Sequence, residues 1–230
     1  MSEALIELRD VSKSYRKGSS VVPIFRDLSM DIGGTDFVAI MGPSGSGKTT
    51  LLNIIGGIDR ISSGAVRFKG QRIDGFSERM FARWRAANVG FIFQFYNLMP
   101  MLTAAQNVEL PLLLTKLSAS RRRAQVAAVL DIVGLSDRAK HYPRELSGGQ
   151  QQRVAIARAL VTDPSLILAD EPTGDLDRET ADEILGILRL LSEELGKTIM
   201  MVTHDPRAAD QAKRVLNLDK GIFVERPTLQ

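Results

Sequence analysis

A glycine-rich loop between two apolar segments constrains the fold of this chain more than any other feature. The loop is Gly42-Pro43-Ser44-Gly45-Ser46-Gly47-Lys48-Thr49; it follows the apolar run Phe37–Met41 and leads into a helix-like run at residues 49–55. It matches the pattern of Gly, four residues, Gly, Lys and Ser or Thr. A strand, a tight loop and a helix in this order aim backbone N–H groups and the positive helix end at one point. The segment therefore predicts a phosphate-binding loop in an α/β fold.

The residue types in this loop suit a nucleotide with several phosphates. Glycines allow the backbone to turn tightly, and Lys48 can reach the β- and γ-phosphates as a compact positive charge. The Thr49 hydroxyl is a suitable ligand for Mg²⁺. The alternative, an ordinary glycine-rich turn with a solvated lysine, does not account for the strand and the helix on either side. We therefore expect a nucleoside-triphosphate site that uses Mg²⁺.

Four apolar runs of strand type each end at a polar residue with a chemical use. They are residues 37–41 before the phosphate loop, 89–93 before Gln94, 166–169 before Asp170 and Glu171, and 198–203 before His204. Near-continuous apolar runs are typical of parallel strands buried on both faces, and such sheets bind ligands at the carboxyl ends of their strands. We therefore expect these four endings to converge on one site.

Asp170 and Glu171 suit two different tasks in phosphate hydrolysis. Neighbouring residues on an extended chain point in opposite directions, so one carboxylate can hold the Mg²⁺ shell while the other orients or deprotonates water. The alternative is an exposed pair that opens the turn at Pro172-Thr173-Gly174. The apolar run before the pair favours the catalytic interpretation.

His204 and Gln94 gain meaning from their positions at strand ends. A lone histidine is more often a surface or core residue, but here it could donate to a γ-phosphate and stabilise developing charge. Gln94 could contact Mg²⁺ or the water and anchor the segment that follows it.

A second glycine-rich segment lies far downstream, at Leu146-Ser147-Gly148-Gly149-Gln150. It belongs to a stretch, residues 95–161, that looks mainly helical, with candidate helices at 104–114, 120–133 and 150–161. Ser147 is a favourable N-cap, and the glycines clear side chains from the helix end. The segment therefore predicts a second anion site, in a different subdomain from Lys48.

Composition excludes several classes of function. The chain has 230 residues, of which 44% are hydrophobic, so it can bury a substantial core. It has no Cys, which excludes disulfides and thiolate sites and agrees with a reducing cytosol. The net charge of +3 falls short of a nucleic-acid-binding surface, so no nucleic-acid partner is expected.

The remaining segments indicate neither export nor insertion into a membrane. Residues 1–10 alternate and carry acidic side chains, so they look like a strand rather than a signal peptide. Apolar segments such as 108–114 are interrupted by Glu109 and Pro111, and none approaches the roughly 18 to 20 residues that span a bilayer. We expect no direct membrane insertion.

These elements in this order resemble the ATP-binding cassette (ABC) ATPases over essentially the whole chain. Residues 146–150, followed by Gln151-Gln152-Arg153, are similar to that family's signature motif. The resemblance implies a P-loop NTPase (RecA-like) α/β core with a mainly parallel sheet, an N-terminal antiparallel β subdomain and an inserted helical subdomain. It divides this single domain into a nucleotide-binding core at residues 1–94 and 162–230 and a helical subdomain at 95–161.

The resemblance also implies roles for individual residues. The catalytic residues would be Glu171, His204, Gln94 and Lys48. Tyr15 would stack on adenine, residues 42–49 and Thr50 would bind ATP, and Thr49, Gln94 and Asp170 would hold Mg²⁺. Asp175, Leu176 and Asp177 would form the D-loop at the dimer interface.

For partners, the resemblance implies a head-to-tail homodimer when ATP is bound. In that dimer Ser147, Gly148, Gly149 and Gln150 of one chain close over ATP held by Lys48 of the other. A separate integral-membrane permease subunit would dock near residues 95–114, which run from Phe95 to Leu114. The protein would then be cytoplasmic and peripheral on the cytoplasmic face of the inner (plasma) membrane.

The sequence from Val89 to Leu98, together with residues 102–108 and 169–177, is similar to the ATPases of macrolide-export and lipoprotein-release systems. Two alternatives stay open. One is a regulatory ABC ATPase that acts on a membrane partner in cell division. The other is a soluble ABC ATPase that is not a transporter. The chain shows no second cassette and no long coiled-coil insertion, which the soluble relatives usually carry.

Overall fold

Two β-sheets, one antiparallel and one mainly parallel, organise the chain in the computed structural model, which describes residues 4–18 and 20–224. The strands are β1 Ala4–Lys17, β2 Ser20–Gly33, β3 Phe37–Met41, β4 Ser63–Phe68, β5 Gln71–Arg72, β6 Val89–Phe93, β7 Leu166–Asp170, β8 Thr198–Val202, β9 Arg214–Asp219 and β10 Ile222–Val224. The helices are α1 Lys48–Ile55, α2 Glu78–Asn88, α3 Ala104–Glu109, α4 Ala119–Ile132, α5 Gly148–Leu160, α6 Arg178–Glu193 and α7 Pro206–Ala209. Short 3₁₀ turns lie at Leu110–Leu114, Ser136–Arg138 and Pro143–Glu145.

The larger sheet has the strand order β10-β9-β3-β8-β7-β6. All its neighbouring pairs are parallel except β9 with β10, and β7 and β8 are almost completely buried because layers cover both faces. The register pairs Ile40 with Val202, Val202 with Asp170, and Asp170 with Phe93. The carboxyl ends of β3, β8, β7 and β6 therefore share one edge, as the four apolar runs predict.

The smaller sheet is antiparallel, with the order β2-β1-β4-β5. The strand expected at residues 1–10 is present from Ala4, and residues 1–3 lie outside the described residues. Leu8 and Phe25 of this sheet share one buried cluster with Leu51 and Leu52 of α1. The helix that follows the phosphate loop is thus packed between the two sheets.

A helical segment connects β6 to β7 and packs on the opposite face of the parallel sheet. Helices α3, α4 and α5 form a buried cluster with β6 and α6. A Cβ at Gly90 of β6 would lie 2.3 Å from the backbone oxygen of Ala159, so α5 and β6 approach each other closely. The antiparallel sheet, the parallel sheet and the intervening helices confirm the predicted fold class.

Within residues 95–161, the helix boundaries agree with the sequence prediction for two of the three predicted helices. Helices α4 and α5 lie within two residues of the predicted spans 120–133 and 150–161. The single helix predicted at 104–114 is wrong in its second half, because α3 ends at Glu109 and residues 110–114 form a 3₁₀ turn. Pro111 lacks the backbone N–H that a longer α-helix needs. Within the described ranges, no helix is both long and apolar enough to cross a bilayer.

Candidate functional site

The phosphate loop connects β3 to α1 and leaves the start of that helix without a side-chain cap. The N-cap residue, Gly47, has φ 102°, and no side chain accepts a hydrogen bond from the first turn. A Cβ at Gly47 would lie 2.6 Å from Cε1 of Phe25, so only glycine fits. The first N–H groups of α1 therefore stay available for an anion.

Lys48 and Ser46 place two polar groups inside the loop. Lys48 is 9% exposed, and its Nζ donates to the backbone oxygens of Gly42 at 2.7 Å and Pro43 at 3.0 Å. The Ser46 hydroxyl is buried and has no hydrogen-bond partner among the described residues. A buried hydroxyl without a partner is costly, so the loop contains a group that a bound anion can satisfy.

A cavity of about 660 Å³ opens above the loop and joins it to two other strand ends. Its walls are Ile24, Ser44, Gly45, Gly47, Lys48, Thr49, Thr50, Glu171 and His204. The loop, the residue after β7 and the second residue after β8 therefore meet at one site. This agrees with the convergence that the sequence predicts for Lys48, Glu171 and His204.

Asp170 and Thr49 form an oxygen-rich pair at the base of the site. The Thr49 hydroxyl donates to Oδ1 of Asp170 over 3.4 Å. Burial raises the pKa of the Asp170 carboxyl, and the charge of Glu171 adds to this, while the Thr49 hydrogen bond and Lys48 oppose it. A partly buried carboxylate beside a hydroxyl fits Mg²⁺, which proteins bind through one or two carboxylates together with substrate phosphates. No cluster of three or more His, Cys, Asp or Glu ligands is found within residues 4–18 and 20–224.

Glu171 and His204 are in direct contact. Nδ1 of His204 lies 2.7 Å from Oε2 of Glu171, and the Glu171 side chain is 19% exposed against 71% for His204. Glu171 has φ 49°, and its amide donates to the Val202 oxygen at 3.0 Å. This backbone conformation is uncommon for a residue with a side chain and directs the carboxylate toward His204 rather than Thr49. The two adjacent carboxylates thus contact different groups.

Gln94 contacts the turn after β7 rather than the cavity wall. Its Nε2 donates to Oδ1 of Asp175 at 3.4 Å, and a Cβ at Gly174 would lie 2.9 Å from the same nitrogen. Asp177 caps α6 by accepting from the Thr180 amide at 3.0 Å, and Leu176 packs against the helical cluster. Of the three predicted Mg²⁺ ligands, the structure brings Thr49 and Asp170 into contact, while the amide nitrogen of Gln94 is directed to Asp175.

The second glycine-rich segment forms the start of α5. Ser147 Oγ accepts from the Gln150 amide at 3.3 Å, and Gln150 Oε1 accepts from the Ser147 amide at 3.0 Å. This reciprocal capping box satisfies two backbone donors within the chain. A Cβ at Gly149 would lie 2.2 Å from Cγ2 of Thr180, and one at Gly148 would lie 2.9 Å from the Tyr96 hydroxyl.

A separate cavity of about 260 Å³ borders this second segment. Its walls are Gly134, Leu135, Ser147, Gly149, Gln150, Arg153, Thr180 and Glu183. Arg153 in this wall is paired with Glu183, whose Oε2 lies 2.5 Å from the guanidinium. Of the described residues, none lines both this cavity and the one above the phosphate loop.

Tyr15 lies on β1 and is tied to the turn that follows α1. Its hydroxyl donates to Oδ2 of Asp59, and its side chain is 42% exposed. Nζ of Lys13 lies 4.4 Å from the ring centroid and 2.6 Å from Oδ1 of Asp59. Sequence reasoning missed Lys13, Asp59 and the cavity residue Ile24. Lys13 and Tyr15 are two residues apart on one strand, so their side chains lie on the same face. This spacing could have predicted a contact between them.

The fold and the site together define a nucleoside-triphosphate-binding domain of the P-loop class. Comparison with known proteins refines this assignment. The family model described as ABC transporter matches residues 25–174, and the chain belongs to that family.

The chain is similar to curated proteins over almost its whole length. It is 50% identical over 220 residues to the macrolide export ATP-binding/permease protein MacB 1/2 of Paracoccus denitrificans, which covers 96% of this chain and 33% of that protein. It is 46% identical over 217 residues to an uncharacterized ABC transporter ATP-binding protein of Thermotoga maritima, covering 94% and 92%. The chain thus spans about a third of the macrolide export relative but nearly all of the Thermotoga protein.

Solved structures agree with this family. The ATP-binding cassette MJ0796, in a dimeric post-hydrolysis state bound to ADP and Pi, is 41% identical with a TM-score of 0.88, covering 98% of this chain and 99% of that one. The cbiO1 subunit of the cbiONQ transporter complex from Clostridium perfringens is 29% identical with a TM-score of 0.89, covering 97% and 88%. These findings confirm the predicted family, the fold class and the enzyme class, an ATPase.

Proposed function

We propose that this chain hydrolyses Mg²⁺-ATP in a head-to-tail homodimer and drives a separate integral-membrane subunit. The observation that carries this proposal is the separation of two phosphate-binding helix ends in one chain. The α1 end lines one cavity, and the α5 end lines another. A second copy can bring its α5 end to the first cavity, as the dimeric state of MJ0796 supports.

In the proposed mechanism the loop holds the triphosphate before any chemistry occurs. The free N–H groups of α1, the Ser46 hydroxyl and Lys48 bind the phosphate oxygens, and Lys48 exchanges its contacts to Gly42 and Pro43 for them. Thr49 and Asp170, with Gln94 from the neighbouring strand, would hold Mg²⁺. When bound, the ion neutralises charge on the β- and γ-phosphates.

Glu171 and His204 would act on the reacting end of the nucleotide. Glu171 orients and deprotonates the attacking water, because its carboxylate lines the cavity and is held away from Thr49 by its left-handed backbone. His204 donates to the γ-phosphate and stabilises its developing charge. The contact between them keeps both side chains at the cavity wall.

The second copy would complete the site from the opposite side. Residues 147–150 of the partner add the N-terminus of α5, and closure excludes water from the γ-phosphate. Asp175, Leu176 and Asp177 would lie at the same interface. Asp175 contacts Gln94 and Asp177 contacts Thr180, both within the nucleotide-binding core. We propose that this core comprises residues 1–94 and 162–230 and that the helical subdomain comprises residues 95–161.

An exposed apolar surface follows Gln94 directly. Phe95 is 69% exposed, Met101 77% and Leu114 83%. A segment that exposes several large apolar side chains is a candidate interaction site. We propose that residues 95–114 dock the membrane subunit, as in macrolide-export or lipoprotein-release systems, on the cytoplasmic face of the inner membrane.

The dimer is tested with Glu171→Gln, which preserves shape and removes the base. In the presence of MgATP, this variant should form a dimer, with twice the mass of one chain. The double variant Glu171→Gln with Ser147→Arg should bind ATP but remain a monomer. A monomer in the first case, or a dimer in the second, contradicts the proposal. Light scattering after size-exclusion chromatography measures both.

The docking surface is tested in complexes co-purified with the membrane subunit that the proposal requires. Phe95→Glu should remove the stimulation of ATP hydrolysis by that subunit and leave the hydrolysis of the isolated chain unchanged. Leu190→Glu is a matched control, because Leu190 is 44% exposed on α6. Unchanged stimulation in Phe95→Glu rejects this surface.

A further inference from the structure

A lysine and an aspartate far apart in the sequence fix the ring of Tyr15. Tyr15 and Lys13 lie on β1, whereas Asp59 lies in the turn after α1. That turn is closed by the amides of Ile58 and Asp59, which both donate to the Asn53 oxygen, at 2.8 and 3.1 Å. The contact therefore joins the antiparallel sheet to the helix that begins at the phosphate loop.

Lys13 is nearly buried, and its ammonium contacts Asp59, Arg60 and the ring of Tyr15. It is 8% exposed, and its Nζ donates to Oδ1 of Asp59 at 2.6 Å and to the Arg60 oxygen at 2.7 Å. The same ammonium lies 4.4 Å from the centroid of the Tyr15 ring, within the range of a cation–π contact. Lys13 thus covers the ring from one side, and Tyr15 is still 42% exposed.

Asp59 receives the second anchor of the ring, the Tyr15 hydroxyl. Burial by itself raises the pKa of Asp59, but hydrogen bonds from Lys13, Tyr15 and the Arg60 amide outweigh it and hold the pKa below its usual value. The carboxylate is therefore charged at neutral pH. The pKa of the Tyr15 phenol is raised, chiefly by burial and then by Asp59, while a contact with Thr50 opposes the shift.

Thr50 connects this cluster to the nucleotide cavity. Its side chain lines the cavity above the phosphate loop and also interacts with the Tyr15 phenol. The Tyr15 phenol is thus linked through Thr50 of α1 to the cavity above the phosphate loop.

We propose that Lys13 and Asp59 are positioning residues that hold the Tyr15 ring as a one-sided platform for the nucleotide base. This inference rests on the contact of Tyr15 with adenine that the family resemblance implies and that we propose here as part of the nucleotide site. Anchoring at the hydroxyl and at one face removes rotamer freedom before the ligand arrives, so binding loses less entropy. Immobilising one side chain in advance corresponds to about 2- to 10-fold in affinity.

The proposal predicts a selective effect on ligands that carry a base. We would titrate ADP and inorganic pyrophosphate into each variant by calorimetry, because pyrophosphate needs the loop but has no base. Lys13→Met and Asp59→Asn should weaken ADP by about 2- to 10-fold and leave pyrophosphate unchanged. Lys13→Arg, which retains the charge, should stay close to the wild type.

Lys69→Met is a matched control, since Nζ of Lys69 lies 5.4 Å from the centroid of the Phe68 ring. Lys69 lies in the turn between β4 and β5 of the same sheet and does not line the cavity. This variant should change neither affinity. Tyr15→Ala tests the underlying proposal separately and should weaken ADP by about 5- to 100-fold.

The outcomes separate the two proposals. If Tyr15→Ala weakens ADP but Lys13→Met and Asp59→Asn do not, the positioning role is rejected and the adenine contact stands. An equal loss of ADP and pyrophosphate in Lys13→Met and Asp59→Asn also rejects it, because the loop itself is then disturbed. Unchanged ADP affinity in Tyr15→Ala rejects the adenine contact.

Discussion

The two helices that begin at glycine-rich turns, α1 and α5, use their N-termini in opposite ways. At α1 the N-cap is Gly47, and no side chain accepts from the first turn. At α5 Ser147 and Gln150 cap each other reciprocally. The first helix end is incomplete without an anion, whereas the second is already partly satisfied.

The charged side chains near the two helix ends show the same difference, since one is available for an anion and the other is already paired. Lys48, the first residue of α1, pairs only with backbone oxygens in the hydrogen bonds described, so its charge is free to meet a phosphate. Arg153, in the second turn of α5, is neutralised by Glu183. This contrast supports the proposal that the α1 site holds the nucleotide and that the α5 end acts on a nucleotide held by the second copy.

The largest expected effect comes from removing the charge at the first site. Lys48→Ala should lower ATP hydrolysis by about 10²- to 10³-fold, because a preorganised donor to the transferring phosphate is lost. Phosphate release measures this, with the exposed Lys69→Ala as control. A rate near that of the wild type would show that the α1 end does not need its lysine.

A smaller effect, on stability, should follow from filling the space beside the second site. The Cβ of Gly149→Ala would meet Cγ2 of Thr180 at 2.2 Å, and overpacking of this kind costs about 1–3 kcal/mol. Urea denaturation measures the loss.

Thr180→Ser supplies the matched partner, since it removes Cγ2 and keeps the hydroxyl that donates to Oδ2 of Asp177 at 2.8 Å. Combined with Gly149→Ala it should recover part of the lost free energy of unfolding. If the losses in the free energy of unfolding of the two single variants simply add in the double variant, the strain does not arise from the contact with Cγ2 of Thr180.

The smallest effects concern the carboxylates of the two regions and their dependence on pH. Burial raises the pKa of Asp170 in the folded chain, so the folded state binds more protons than the unfolded state at mildly acidic pH. Stability therefore falls as the pH rises from the unfolded pKa, about 3.9, through the folded value. Without nucleotide and Mg²⁺, Asp170→Asn should raise the Tm at pH 7 and leave it unchanged near pH 4.

Asp177 should respond in the opposite direction. Hydrogen bonds from the Thr180 amide and then its hydroxyl lower the pKa of Asp177, so its contribution is present above the unfolded pKa and lost as the pH falls through the folded one. Asp177→Asn should thus lower the Tm slightly at pH 7 and not at strongly acidic pH. Calorimetric scans at both pH values measure the Tm of the Asp170→Asn and Asp177→Asn variants. Changes in Tm of the same sign at pH 7 would contradict the predicted difference between the two carboxylates.

Features that depend on local sequence could be predicted. The buried strands β3, β6, β7 and β8 appear as apolar runs, and Ser147 is an N-cap because its neighbours in sequence determine the helix start. The end of α3 at Glu109 also has a local signal, Pro111, but the prediction of one helix at 104–114 did not take it into account.

Features that depend on tertiary packing could not be predicted. Lys13 meets Asp59 only because β1 packs beside the turn after α1. Gly149 lies against Thr180, and Gln94 contacts Asp175. In both cases the two residues belong to different elements, and the sequence pattern does not indicate which elements pack together. The family resemblance supplied the roles of the site residues, but the contacts that hold them come from the structure.

Mixing two inactive variants tests the central claim, a site shared between two chains, most directly. Lys48→Ala disables the phosphate loop and Ser147→Arg disables the α5 end, so each variant alone should hydrolyse ATP very slowly. In a mixed dimer one site combines the intact loop of one chain with the intact α5 end of the other. The account predicts phosphate release above the sum of the separate rates, whereas a rate equal to that sum would contradict it.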